Sequence, residues 1–373
     1  GELPDAGNYN DKGSNTLCNT AKAVDGLNLP NLEKLGLGNI TSIEGIAQEI
    51  NPFASFGKMT ELSKGKDSTT GHWELAGLYV KTDFTYFPNG FSKELVNVFL
   101  KETGCKGFLG NKPASGTEII RELGEEHLKT GFPIIYTSAD SVFQIAAHEE
   151  IIPLKKLYEI CSITREKVLA EPLKVGRVIS RPFVGKPGNF TRTKNRKDFS
   201  LNPPEPTILD ILSEKRIQTI AIGKINDLFN YRGITTQVLT KSNEEGCEQI
   251  LKSAMEAKSS FIFTNLVDFD VYFGHRNDPE GFAGKLKEFD DFLPEFLNKL
   301  DENDRLIITA DHGNDPTTPS TDHSREYVPL LYYKKNIEGK NLGTRKTFSD
   351  VGKTVAEFFR VDNNLNGKSF LNE

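Results

Sequence analysis

Apolar residues in the C-terminal half of the chain come in two patterns that alternate. The first is the short unbroken run: Ile217-Gln-Thr-Ile-Ala-Ile222, Phe261 to Val267, Arg305 to Thr309 and Tyr327 to Tyr333. Runs this short, apolar on both faces and rich in Ile and Val, suit strands covered by helices on each side. The second is the helical repeat. From Gly281 to Leu300 it places Phe282, Leu286, Phe289, Phe292, Leu293, Phe296, Leu297 and Leu300 three or four positions apart. From Ser349 to Phe359 it carries Val351, Val355 and Phe358 on one face behind a Ser-Asp pair suited to an N-cap. This alternation predicts an α/β fold whose mostly parallel sheet lies between helices.

The middle of the chain reads differently. Phe132 to Thr137 and Gly176 to Ser180 predict strands, with a helix between them over about 153–169. A polar, basic stretch at 185–198 follows, and the Pro-rich segment Asn202-Pro-Pro-Glu-Pro-Thr207 marks a boundary. We read a core domain over 1–86 and 198–373, interrupted by a smaller α/β domain at 87–197. Residues 1–30 are rich in Gly, Asn and Asp and hold no strand-like run. The expectation is that an initial strand precedes Gly1.

Composition narrows the functional classes. The 373 residues are 37% hydrophobic and carry a net charge of −6, so no basic excess exists to neutralise nucleic-acid phosphates. No apolar run approaches the roughly 20 residues of a membrane span. Four scattered cysteines without a CxxC pair read as free thiols in a reducing compartment. With no basic n-region or apolar h-region at Gly1, the expectation is a cytoplasmic protein.

The candidate chemistry lies in three segments that pair aspartate with histidine: Asp270-Val-Tyr-Phe-Gly-His275, Ala310-Asp311-His312-Gly313 and Thr321-Asp322-His323. Imidazole and carboxylate together suit first-row divalent metals. Asp268 and Asp270 follow one predicted strand and Asp311-His312 another, so both clusters belong at the carboxyl edge of the sheet. Five ligands over three segments suggest two metals more readily than one. Far upstream, Gly65-Lys-Asp-Ser-Thr-Thr-Gly-His-Trp-Glu74 gathers three hydroxyls, a His and the chain's single Trp. Ser68, Thr69 and Thr70 are candidate nucleophiles. The plainer reading is a helix N-terminus capped by Ser or Thr, whose backbone N–H groups would also cradle a phosphate.

Taken together, GKDSTTGHWE (65–74), SADSVFQIAAHE (138–149), GNFTRT (188–193), GKINDLF (223–229), NLVDFDVYFGHRNDPEG (265–281) and TADHGNDPTTPSTDHSREYVPLL (309–331) resemble the phosphopentomutases of the alkaline phosphatase superfamily. The similarity runs through the whole chain. It implies interconversion of ribose or deoxyribose 1-phosphate and 5-phosphate, which links nucleoside breakdown to pentose metabolism. It implies Ser68 as the phosphorylated hydroxyl, where members commonly carry threonine. It implies two metals, usually manganese: Asp270, His275 and His323 on one, Asp311 and His312 on the other. Ser138 and Asp140 would meet sugar hydroxyls, Arg177 and Arg192 would bind phosphate, and Lys224 would reach the substrate. A sugar bisphosphate would act as activator. Members open on a strand whose aspartate ligates the second metal, a segment corresponding to residues upstream of Glu2. Competing readings are a related metal-dependent phosphoglycerate mutase or phosphatase, or a metal-poor homologue without activity. No nucleic-acid or membrane partner is expected, and the oligomeric state stays open between monomer and weak dimer.

Overall fold

The computed structural model describes residues 1–81, 84–138, 141–170 and 173–373. Contacts divide the chain into two units, Gly1–Thr82 with Pro203–Glu373, and Asp83–Asn202. The larger unit supplies strand β1 (Ala54–Met59) before the smaller unit begins. The smaller unit follows with β2 (Leu109–Pro113), β3 (Ile134–Thr137), β4 (Val142–His148), β5 (Arg177–Lys186), β6 (Asn189–Arg192) and β7 (Lys197–Ser200). The chain then returns to the larger unit with β8 (Gln218–Ile222), β9 (Thr236–Val238), β10 (Ser260–Thr264), β11 (Leu306–Thr309), β12 (Val328–Tyr333) and β13 (Asn341–Arg345).

In the larger unit the apolar runs at 217–222, 261–267, 305–309 and 327–333 become β8, β10, β11 and β12. They form a three-stranded parallel sheet ordered β10-β8-β9 and a four-stranded sheet ordered β11-β12-β1-β13. In the second, β12 runs antiparallel to both β1 and β11, and β1 runs parallel to β13. Parallel pairings outnumber antiparallel ones in this unit, in keeping with an α/β sheet. The long periodic segment forms the helix Pro279–Lys299, whose Leu293 packs with Leu27, Leu32, Leu37 and Leu331. One polar residue interrupts its apolar face. Asp290 is fully buried and accepts the backbone N–H groups of Asn31 (3.1 Å) and Leu32 (2.7 Å), two open donors at the start of the helix Pro30–Lys34. The helix Ser349–Phe358 starts as expected, but its cap is not the Ser-Asp pair. Thr347 does that work, its hydroxyl accepting from the Ser349 N–H at 3.0 Å.

The smaller unit is a single mixed sheet ordered β2-β3-β4-β5-β6, with β7 also paired to β5. The β7–β5 ladder, Arg177↔Ser200 to Ser180↔Lys197, carries this unit on to Asn202. The polar stretch after Ser180 is therefore structured. Lys186-Pro-Gly-Asn189 closes the β5–β6 hairpin, with Gly188 at φ 83° where a Pro-Gly turn needs a residue free of Cβ. The helix Gly116–Thr130 covers one face, burying Ile119 and Ile120 against Tyr136 and Phe183.

His127, in the last turn of that helix, is buried with both ring nitrogens used. Nδ1 lies 2.7 Å from the Phe132 carbonyl and Nε2 accepts the His148 N–H at 2.8 Å. Burial holds its pKa below the ordinary value. A histidine whose folded pKa is depressed stabilises the fold above its unfolded pKa of about 6.5 and loses that contribution as pH falls below it. The melting temperature should therefore drop between pH 7.5 and pH 5. Replacing His127 with Gln should remove a measurable part of that slope in a pH series of thermal melts.

Candidate active site

Because β8 and β10 run parallel with Thr264 opposite Ile222, their carboxyl ends open at one edge of the sheet. Lys224 follows β8 there, its backbone N–H bonded to Asn265 Oδ1 at 2.8 Å. Asp270 follows β10 on the short helical turn Phe269–Phe273, which leads into a second turn carrying His275. Ligand atoms of Asp270, His275 and His323 lie within 4.8 Å of one another. The His275 Nδ1–H points to the Thr321 carbonyl at 2.8 Å, which leaves Nε2 as the free donor atom. Asp270 is oriented in the same manner: its Oδ1 accepts from Asn314 Nδ2 at 2.7 Å. Its Oδ2 lies 3.6 Å from His312 Nε2 and 3.9 Å from His323 Nε2. Asp268, on the same loop, turns away and is buried on the Asn243 N–H at 2.8 Å. Asp322 is exposed and pairs with Lys66, and it meets His323 only through the backbone N–H, at 2.9 Å.

Ser68 reaches this cluster from the helix Ser68–Leu75, of which it is the first residue. Its Oγ lies 3.0 Å from His312 Nε2. The cap is Asp67, not a hydroxyl. Its carboxylate accepts the N–H groups of Thr69 (2.9 Å) and Thr70 (3.1 Å) and the Thr70 hydroxyl (3.0 Å). The expected phosphate cradle of backbone donors is thus already filled by a carboxylate. What remains at this terminus is the helix dipole, which favours negative charge on Ser68. Gly71 serves close approach and not a turn: a Cβ there would lie 2.0 Å from the Asp311 carbonyl oxygen. That contact lets His72 Nδ1 come within 3.0 Å of Asp311 Oδ2, and the same oxygen lies 3.1 Å from His312 Nε2.

Two carboxylates and three imidazoles converge here with facing donor atoms, a set that fits first-row divalent cations. Without a cation the charges redistribute as protons. Burial alone would lower the His312 pKa, but Asp311 and Asp270 push it up to about 10. Burial and the charge on His312 drive His323 down to about 3. Burial works against the Asp311 anion, yet His312 and His72 hold its pKa well below the ordinary carboxylate range. The loop carrying His323 is braced from behind. Arg325, buried, donates to Glu61 Oε2 (2.9 Å) and to the carbonyls of Ser63 (2.6 Å) and Gly65 (2.9 Å). Glu74, also buried, accepts from the Leu62 and Ser63 N–H groups and from Thr347 and Phe348. Asp67, Asn314 and Arg325 escaped the reading of the sequence, as did the contacts that His72 and Glu74 make. Each acts on a residue remote in the chain or through backbone, where spacing carries no signal.

The smaller unit holds the other expected residues. Asp140 lies outside the described residues. Ser138 follows β3 and is partly exposed. Arg177 opens β5 opposite Val142, with its N–H bonded to the Ser141 carbonyl. Its guanidinium lies 3.7 Å from Asp198. Arg192 is elsewhere: it faces Phe183, six positions along β5, roughly 20 Å of strand away. The two arginines therefore occupy different stations on one sheet.

A proton on His312 must leave before its Nε2 can ligate a cation. Loading metal at pH 7 should release about one proton per chain, seen as a buffer-dependent heat in calorimetry, and metal affinity should rise with pH. Uptake without proton release would remove His312 from the ligand set. Gly71→Ala should push the Ser68 helix off Asp311 and weaken metal binding at least tenfold, with the protein still folded by circular dichroism.

Residues 10–363 match the model of the metalloenzyme superfamily. The chain is 60% identical over 374 residues to the phosphopentomutase of Dictyoglomus turgidum, spanning 100% of this chain and 94% of that one. It is 58% identical to the phosphopentomutase of Caldanaerobacter subterraneus, again over 100% of this chain and 94% of the relative. To that of Clostridium acetobutylicum it is 53% identical, over 99% and 95%. Beside an Asp-His cluster with a hydroxyl at its rim, similarity of this extent leads to one conclusion: the chain belongs to the phosphopentomutase family of the metalloenzyme superfamily.

Proposed function

We propose that the chain is an isomerase that interconverts the 1-phosphate and 5-phosphate of ribose or 2-deoxyribose through a phosphoserine at Ser68. The observation that carries this reading is the Ser68 hydroxyl, 3.0 Å from His312 Nε2 at the rim of the Asp-His cluster. Asp270, His275 and His323 would hold one divalent cation, and Asp311 with His312 a second, manganese being our choice for both. Bound there, such cations neutralise phosphoryl oxygens and polarise them toward transfer.

The chain's own groups account for the rest. Phospho-Ser68 gives its phosphoryl group to the free hydroxyl of a pentose monophosphate: the bond from phosphorus to Ser68 Oγ breaks as the bond to the sugar oxygen forms. The proton of the sugar hydroxyl ends on the released Ser68 Oγ, and a pentose bisphosphate results. After the bisphosphate turns round, its other phosphoryl group returns to Ser68 Oγ and the isomeric monophosphate departs. The helix dipole at Ser68 stabilises the phosphorylated state, although Asp67 holds the nearest backbone donors. Thr70 is committed to Asp67 and is unsuited to compete as acceptor. Lys224 stands on the same sheet edge as Asp270 and supplies a cation for substrate phosphate. The smaller unit would act as the substrate-binding cap, with Ser138 and Asp140 for sugar hydroxyls and Arg177 and Arg192 for phosphate, since arginine's planar fork suits phosphate oxygens. A sugar bisphosphate would restore phospho-Ser68 whenever the group is lost to water. Four free cysteines accord with a cytoplasmic setting. No described helix is long and apolar enough to cross a membrane.

The test is turnover of ribose 5-phosphate by manganese-loaded protein primed with a sugar bisphosphate. We expect ribose 1-phosphate as product, a phosphorylated Ser68 by mass spectrometry, and a loss of about a thousandfold or more in Ser68→Ala. Turnover of 3-phosphoglycerate in preference to ribose 5-phosphate would replace this reading with the related phosphoglycerate mutase.

A further inference from the structure

Ser141 is the residue immediately before β4, and Gly176 the residue immediately before β5. The two strands run parallel from the pair Val142↔Arg177, and at this end the Arg177 N–H donates to the Ser141 carbonyl at 3.3 Å. The Gly176 N–H, one residue outside the strand, is taken by a side chain instead. The Ser141 hydroxyl accepts it at 3.2 Å and donates its own proton to the Thr85 carbonyl at 2.6 Å. Both backbone groups need a partner once water is largely excluded, and Ser141 is only 7% exposed. A hydroxyl meets both needs at once because it donates and accepts. The approach is close: a Cβ on Gly176 would lie 3.2 Å from the Ser141 carbonyl oxygen.

Distant stretches of the smaller unit converge on this pair of bonds. Thr85 stands near the unit's start and Leu201 near its end. The Thr85 N–H donates to the Lys174 carbonyl at 2.7 Å, and the Thr85 hydroxyl accepts the Lys174 N–H at 3.3 Å. The Leu201 N–H donates to the Gly176 carbonyl at 3.0 Å. Gly176 is therefore gripped on both sides, by Ser141 at its N–H and by Leu201 at its carbonyl. The Thr137 hydroxyl donates to the Val142 carbonyl at 3.0 Å, which joins the end of β3 to the start of β4. Ser141 thus fastens the end of the sheet at which Ser138 follows β3 and Arg177 opens β5. Its hydroxyl acts through backbone, since its partners are a carbonyl and an N–H. Removing it takes a partner from both groups and loosens the chain leading into Arg177. A guanidinium binds phosphate through two parallel bonds, so a displacement of roughly 1 Å in its anchor is enough to spoil the fit.

We infer that Ser141 is a positioning residue, whose hydroxyl fixes the start of β5 and through it the placement of Arg177 for substrate. The hold on the backbone stands on the geometry of the smaller unit alone. That Arg177 then meets the phosphate of a pentose phosphate rests on the function proposed above.

The test is calorimetry with ribose 5-phosphate on the full, manganese-loaded chain in a Ser68→Ala background, comparing Ser141→Ala, Ser141→Thr, Arg177→Gln and the double variant Ser141→Ala/Arg177→Gln. Ser141→Ala should weaken binding at least fivefold, and Ser141→Thr, which keeps the hydroxyl, should recover part of that. The double variant should bind within twofold of Arg177→Gln alone, because a residue that acts through Arg177 has nothing to add once Arg177 is gone. Manganese affinity should not move, and the Gly176 amide should exchange its hydrogen at least tenfold faster in Ser141→Ala. A serine that only stabilises the fold would lower the melting temperature and leave ribose 5-phosphate affinity within twofold, and that result would overturn the inference. So would a double variant in which the two single losses multiply. If the unaltered chain turns over no ribose 5-phosphate while the coupled loss of binding holds, the proposed function fails and the role of Ser141 stands.

Discussion

Arg325 holds together three segments that the chemistry needs in register. Its guanidinium spans Asp5 and Glu61 and the carbonyls of Glu61, Ser63 and Gly65, while its backbone N–H is bonded to Asp11. One side chain thereby ties the N-terminal segment and the approach to Ser68 to the loop that carries His323. Burial alone would lower its pKa, but Glu61 and Asp5 outweigh that and keep it charged. Truncating such a residue leaves a buried carboxylate without a partner, a loss on the order of 3–5 kcal/mol. That is a large fraction of the marginal stability of a domain. The pin is therefore structural, and it joins the segment before Ser68 to the loop that carries His323.

The cluster it frames is a problem in charge balance. Asp270 and Asp311 face His312 and His323 at 3.1 to 3.9 Å. The protein answers with alternating protonation, His312 charged and His323 neutral, and a divalent cation would answer with its own charge. The surrounding groups prepare for that exchange. Thr321 and Gly313 carbonyls take the Nδ1 sides of His275 and His312, and Asn314 takes one oxygen of Asp270. Each bond leaves a single atom of the ligand facing inward. The site is thus oriented before anything binds, which lowers the cost of binding.

Much of this was legible along the chain. Strands β8, β10, β11 and β12 announced themselves as short apolar runs, because a strand covered on both faces cannot alternate. Strands β6 and β7 did not, because they lie in a polar stretch and their own residues are exposed or half-exposed. The Asp-His segments pointed to a metal centre because strand ends in an α/β sheet gather at one edge. The cap on the Ser68 helix was misassigned to a hydroxyl, since Asp, Ser and Thr compete for that role on equal terms and only backbone geometry selects Asp67. That Arg177 and Arg192 stand six positions apart along β5 is something strand register alone reveals.

By itself the sequence determined the α/β class, the pairing of Asp with His in the three candidate ligand segments and the hydroxyl cluster at 68–70. These depend on residue type and on spacing within a segment, and both are written locally. Tertiary structure alone decided which oxygen of Asp270 faces the histidines and that Gly71 must lack a side chain against Asp311. Those outcomes depend on approaches of a few ångströms between residues far apart in the chain. Such distances follow from how the sheets and helices pack, and no local pattern encodes them.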